Sequence, residues 1–132
     1  MTTINSNSGN SLNWFAKFPW MLLVIAYLLA VEYLHLSMSG NIGYGFIALA
    51  VVAFFLEMFK AGDIGVGAFF LDQFWAIVGI VLSSGLLSYL FFVESREPTF
   101  YHWLGFSMIV ADALLNQVNA YRTALRNIDV PN

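Results

Sequence analysis

Long apolar runs separated by short polar stretches make up almost all of the chain. They lie near Phe18–Leu36, Ile42–Phe59, Ala68–Val93 and Phe100–Leu125. None alternates as a half-buried strand does. Each run is roughly 18–26 residues, enough to cross about 30 Å of hydrocarbon at about 1.5 Å of rise per residue. The pattern predicts transmembrane helices rather than a closed barrel of strands. Pro19 suits the first turn of the first helix, where no amide donor is needed. The connections SMSGNIG, AGDIGVG and ESREP are short. Successive helices are therefore antiparallel, and the expected fold is an all-α integral membrane protein, an up-down bundle of four transmembrane helices.

Residues 1–17 are expected to form a flexible polar segment with interfacial aromatics, 18–126 the four-helix domain, and 127–132 a short tail. In one alternative the second and third segments form a re-entrant pair, with Gly62, Gly65 and Gly67 reaching into the membrane.

Composition strengthens the membrane reading. The 132 residues are 60% apolar and 10% charged, against about 45–50% and about 25% in soluble domains. The lipid bilayer is thus the first expected partner. A net charge of −3 is not the basic footprint that nucleic acid requires. With no cysteine, disulfides, thiolate metal sites, iron–sulfur clusters and a cysteine nucleophile are excluded. Met1–Asn13 lacks a basic leader region and no small-x-small site closes the first run, which reads as a retained helix rather than a signal peptide. Lys17, Lys60, Arg122 and Arg126 share one side of an up-down bundle, and Arg96 lies on the other. This bias places both termini in the cytoplasm, in a bacterial-type inner (plasma) membrane.

Each run also carries a carboxylate: Glu32, Glu57, Asp72 and Asp112 in order. An acid at the bilayer centre costs roughly 2.5–3.5 kcal/mol on insertion scales, so it faces protein or water. On the fourth helix His102, Gly105, Asp112, Asn116, Asn119 and Thr123 fall within an arc of about 100°, with Ile109 filling the gap. That stripe is either interhelical glue or the lining of a hydrated path. Asp112 is placed near mid-membrane, with no basic residue at its depth. On the second helix Gly43, Phe46, Ala50, Ala53 and Glu57 share a face, and Lys60 is expected to pair with Glu57 while snorkelling to the headgroups. The third helix places Asp72, Ala76, Gly79 and Ser83 on one side and Ser84, Gly85 and Ser88 on a second, suggesting neighbours on both. Asp72 is expected to stabilise that helix's N-terminus.

Glu32 and His35 stand three apart near the outer end of the first helix. Their Glu-x-x-His spacing is that of di-iron bundles, but such sites need two motifs and two further Glu residues at one depth. With the first and fourth helices adjacent, His35 could approach His102. The pair could then ligate a b-type haem, or with Glu32 a single metal ion. No cofactor is expected as the main reading. Phosphate loops, nucleophile elbows and His-Glu-x-x-His motifs are absent, so an enzyme is not expected.

Three functional expectations follow. The first is a non-enzymatic structural or accessory subunit of a larger membrane complex, with other subunits or copies of itself as partners and its polar residues used for packing. The second is an oligomeric proton or cation channel, with Asp112 as the central site, Asn116, Asn119, Glu57 and Asp72 on one approach, and Glu32 and His35 at the exit. A gap of almost three turns between Asp112 and His102 weighs against it. The third is electron transfer through a haem held by His35 and His102.

Overall fold

The computed structural model describes residues 14, 15, 17–60 and 66–128. Most of the expected flexible N-terminal segment, the glycine-rich stretch 61–65 and residues 129–132 lie outside these. Among the described residues the fold is all-α, with no strand: α1 (Leu22–Tyr33), α2 (Gly40–Lys60), α3 (Val66–Phe92) and α4 (Phe100–Ile128). Two helices are long and apolar enough to cross a membrane, α2 along its length and α3 from Phe69 to Phe92.

The other two depart from the expected spans for identifiable reasons. α1 has 12 residues, or about 18 Å of rise. Before it, the amides of Leu22, Leu23 and Val24 donate to the carbonyls of Pro19, Trp20 and Met21, the three-residue spacing of a 3₁₀ turn. After it, His35 takes φ +51°. The His35 N–H then reaches the Glu32 carbonyl and the Leu36 N–H the Val31 carbonyl, which is the Schellman closure of a helix. α4 has 29 residues, so length is not its limit. Its polar stripe and the arginines near its C-terminal end lower its apolarity.

α1 and α4 are the inner pair. Each packs against the other and against both α2 and α3, whereas α2 and α3 scarcely meet. Of the consecutive pairs, α1 packs on α2 and α3 on α4, and only α2 and α3 stand across the bundle from one another. The expected adjacency of the first and fourth helices is met.

The faces read from the sequence are the faces that pack. Gly43, Phe46, Ala50, Ala53, Glu57 and Lys60 are the buried residues of α2. On α4, Gly105 is the point of closest approach. A Cβ there would lie 2.8 Å from Leu28 Cδ1 and 3.2 Å from Phe46 Cζ, so its missing side chain admits α1 and α2 together. Gly79 of α3 likewise receives Ile109 of α4, at 3.0 Å from a would-be Cβ. Small residues that allow close approach are how helices associate where apolar burial supplies no drive. Between these contacts Val24, Ile25, Leu28, Phe46, Leu90 and Ile109 form the apolar core. Tyr27 joins α1 to α2 by donating its hydroxyl to the Ile42 carbonyl at 2.8 Å.

Gly105→Leu is expected to lower stability by about 1–3 kcal/mol or more through overpacking. Denaturant unfolding in detergent, followed by circular dichroism, measures it; an unchanged midpoint would contradict the packing described.

Candidate functional site

The polar side chains gather at the two ends of the bundle. At the end where α2 closes and α3 begins, Lys60 turns inward, and its side chain is 2% exposed. An ammonium has three protons to donate, and three acceptors meet them. These are the Phe18 carbonyl at 2.8 Å, Glu57 Oε2 at 2.9 Å and Asp72 Oδ1 at 3.1 Å. Glu57 Oε1 also accepts the Met21 N–H at 3.3 Å. The cluster thus ties the segment entering α1, the end of α2 and the second turn of α3 to one point.

This corrects two expectations. Lys60 does not snorkel outward, because acceptors from two other parts of the fold outcompete the solvent at the helix end. Asp72 does not act at a helix terminus; α3 begins at Val66 and Asp72 pairs with Lys60. Asp112 lines one small cavity, of about 10 Å³, with Glu57 and Asp72.

Asp112 differs from its neighbours. It is 6% exposed, yet among the described residues no side chain or amide hydrogen-bonds to it. Asn116, one turn on, is also buried. Both line a second, larger space of about 320 Å³ between α2 and α4, with Glu57, Asn119 and Arg122. Asn119 is half-buried, and Thr123 is exposed and turned back to the Asn119 carbonyl at 3.0 Å. The stripe on α4 therefore runs from the interior outward.

At the other end Glu32 holds two partners. One oxygen meets His102 Nε2 at 2.8 Å, and the other accepts from the Arg96 guanidinium. His102 is buried at 2% exposure, and its Nδ1 accepts the Thr99 backbone N–H at 3.1 Å. A ring nitrogen that accepts carries no proton, so Nε2 bears the hydrogen and donates it to Glu32. Residue 102 reaching back to the amide before the helix is one half of a capping box, with His in the usual Glu place. Both ring nitrogens are committed to protein groups. His35, the other expected ligand, is exposed just past the end of α1. Among the described residues no group of three His, Asp or Glu side chains is placed to hold a metal ion.

Arg96 and Thr99 were not singled out from the sequence as site residues. The available signal was that Glu32 needs a cation and that Arg96 is the only basic residue of the outer hairpin. Arg96 also binds Glu94, Nη2 to Oε2 at 2.8 Å. The hydrogen bond from Arg96 holds the Glu94 carboxyl below its ordinary range. Glu32 first, then Glu94, raises the guanidinium further.

The interior between the two ends is apolar apart from Ser83 of α3, which is buried with its hydroxyl donated to the Gly79 carbonyl at 2.8 Å. On α4 the inward residues between His102 and Asp112 are Gly105 and Ile109, faced by Leu28, Phe46 and Leu90. Ser107 of the same stretch is exposed. No protein-family model, curated protein or solved structure matches the chain.

A depressed carboxyl pKa means that the Glu94–Arg96 contact is fully present above the ordinary Glu range and is lost as pH falls through the lowered value. Arg96→Ala is expected to move the Glu94 titration back up. Carboxyl NMR across the acid range reads this directly, and an unmoved titration would contradict the pairing.

Proposed function

We propose that the chain is a multi-pass membrane protein that serves as a non-enzymatic accessory subunit of a larger membrane complex, with both termini on the cytoplasmic side. The membrane reading is supported by α2 and α3 and by their outward apolar residues. Val52, Phe55, Phe59, Phe70, Phe74 and Val81 are all exposed, and lipid is the solvent such a surface fits.

The subunit reading is carried by the second side of α3. Gly85 and Ser88 are exposed and Ser84 is half-buried. Gly85 lines an open groove of about 510 Å³ between α1 and α3, walled by Leu29, Leu86 and Tyr89 and at one end by Glu32, His35 and Glu94. A Cβ at Gly85 would meet nothing within 4 Å. Elsewhere in the bundle a small residue admits a neighbouring helix, as Gly105 and Gly79 do. At Gly85 no described residue is a neighbour, and a helix from another subunit fits there.

Asp112 favours a second reading, a proton or cation channel. The apolar core between the two polar ends supports the subunit reading over conduction through one bundle.

Gly85→Leu is expected to leave the folded bundle intact, since the added atoms enter open space, and to release the partner. Native purification in mild detergent tests this. Stoichiometric partners should accompany the wild-type chain and be lost from the variant. A wild-type chain that purifies alone, or as a homo-oligomer only, would contradict the reading.

A further inference from the structure

The space between α2 and α4 has a chemical polarity. Burial orders its lining. Glu57, Asp112 and Asn116 are deepest, Asn119 is half-buried, and Arg122 is exposed at the mouth. Met58 and Leu115 supply apolar wall. The Glu57 carboxylate is already bound to Lys60 and the Met21 amide. Asp112 has no protein partner among the described residues, although it is more than nine-tenths buried. In its ionised form a buried acid offers only acceptors, and it then calls for a donor or a cation.

The rest of the pocket restricts what that donor is. A bare metal ion lacks ligands, because among the described residues no third acidic or histidine side chain is in coordinating reach, and it would pass a guanidinium on the way in. A simple anion suits Arg122 but meets Glu57 and Asp112 behind it. A dipolar ligand with its positive end inward satisfies both ends. The Cα atoms of Asp112 and Arg122 are separated by about 15 Å of helix rise. Both side chains incline toward the helix N-terminus, so Arg122 leans over Asn119 and toward the pocket.

We propose that this pocket holds the head group of a membrane lipid bearing a primary ammonium beside a phosphate. The ammonium donates to Asp112 and the Asn116 carbonyl, and the phosphate meets Arg122. The inference rests on the membrane reading above, under which Arg122, Lys17 and the exposed Tyr121 lie at headgroup depth. It adds a selectivity. A primary ammonium has N–H donors for two acceptors, whereas a quaternary ammonium has none and is bulkier. The guanidinium–phosphate contact at the mouth is common to both head groups, so the discrimination comes from Asp112 and Asn116.

The test is lipid retention. The full chain is reconstituted in nanodiscs of equimolar phosphatidylethanolamine and phosphatidylcholine with matched acyl chains, then released for native mass spectrometry. Phosphatidylethanolamine is expected to be retained over phosphatidylcholine by roughly tenfold, the scale of one charge-assisted hydrogen bond. Asp112→Asn is expected to abolish that preference. Arg122→Gln, at an exposed position that leaves the fold intact, is expected to lower retention of both lipids. Circular dichroism confirms that each variant is folded. Equal retention of the two lipids by the wild-type chain, or a preference unchanged by Asp112→Asn in a folded variant, would overturn the proposal. Displacement of the lipid by soluble phosphoethanolamine at equal concentration would overturn the assignment to a lipid. A chain that stays in solution without detergent would instead overturn the membrane reading, a result separable from the others.

Discussion

The structure turns on one buried ammonium. Lys60 stands at the last position of α2, where a lysine would ordinarily extend its stem and keep its charge in water. Here it points inward and meets three acceptors from three parts of the chain. α2 and α3 hardly touch along their lengths, so this contact is what joins them. It also fixes the chain entering α1, because the carbonyl it binds belongs to Phe18, directly before Pro19. Removing one charge from such a cluster would strand the others in a low-dielectric interior, which costs more than the pairing is worth by itself.

That staple is balanced by a second at the opposite end, where Glu32 of α1 meets His102 of α4 and Arg96 of the connection between α3 and α4. The two clusters lie at the ends of an apolar core that is closed by small residues meeting large ones. Gly105 admits Leu28 and Phe46, and Gly79 admits Ile109. The polar groups thus specify which helix ends meet, and the glycines specify how closely the helices approach between them. Among the described residues, unmet groups include the buried Gln73 Oε1, the open side of α3 at Gly85 and the carboxyl of Asp112. The functional proposals lie at Gly85 and Asp112.

Much of this was legible in the sequence. The 3.6-residue period identified the buried face of α2 from Gly43 to Glu57 and that of α4 from His102 to Asn116, because small and polar residues on one stripe have nowhere else to go. Length was less legible. The apolar run around α1 continues past its helix, and apolarity does not reveal that His35 adopts a left-handed backbone. Lys60 was misread because its acceptors on Phe18 and Asp72 are remote in the chain. Arg96 was passed over because a hairpin charge is ordinarily solvated.

The most direct test of the account is a double-mutant cycle between Lys60 and Asp72, using Lys60→Met, Asp72→Asn and the pair, with unfolding free energies measured in detergent micelles. Lys60→Met alone is expected to cost about 3–5 kcal/mol, because it leaves acids buried without their cation. The double variant should recover part of that loss, with a coupling of about 0.5–3 kcal/mol. Strictly additive effects, or a Lys60→Met variant as stable as the original chain, would mean that Lys60 faces the solvent and that the bundle is held together by other contacts.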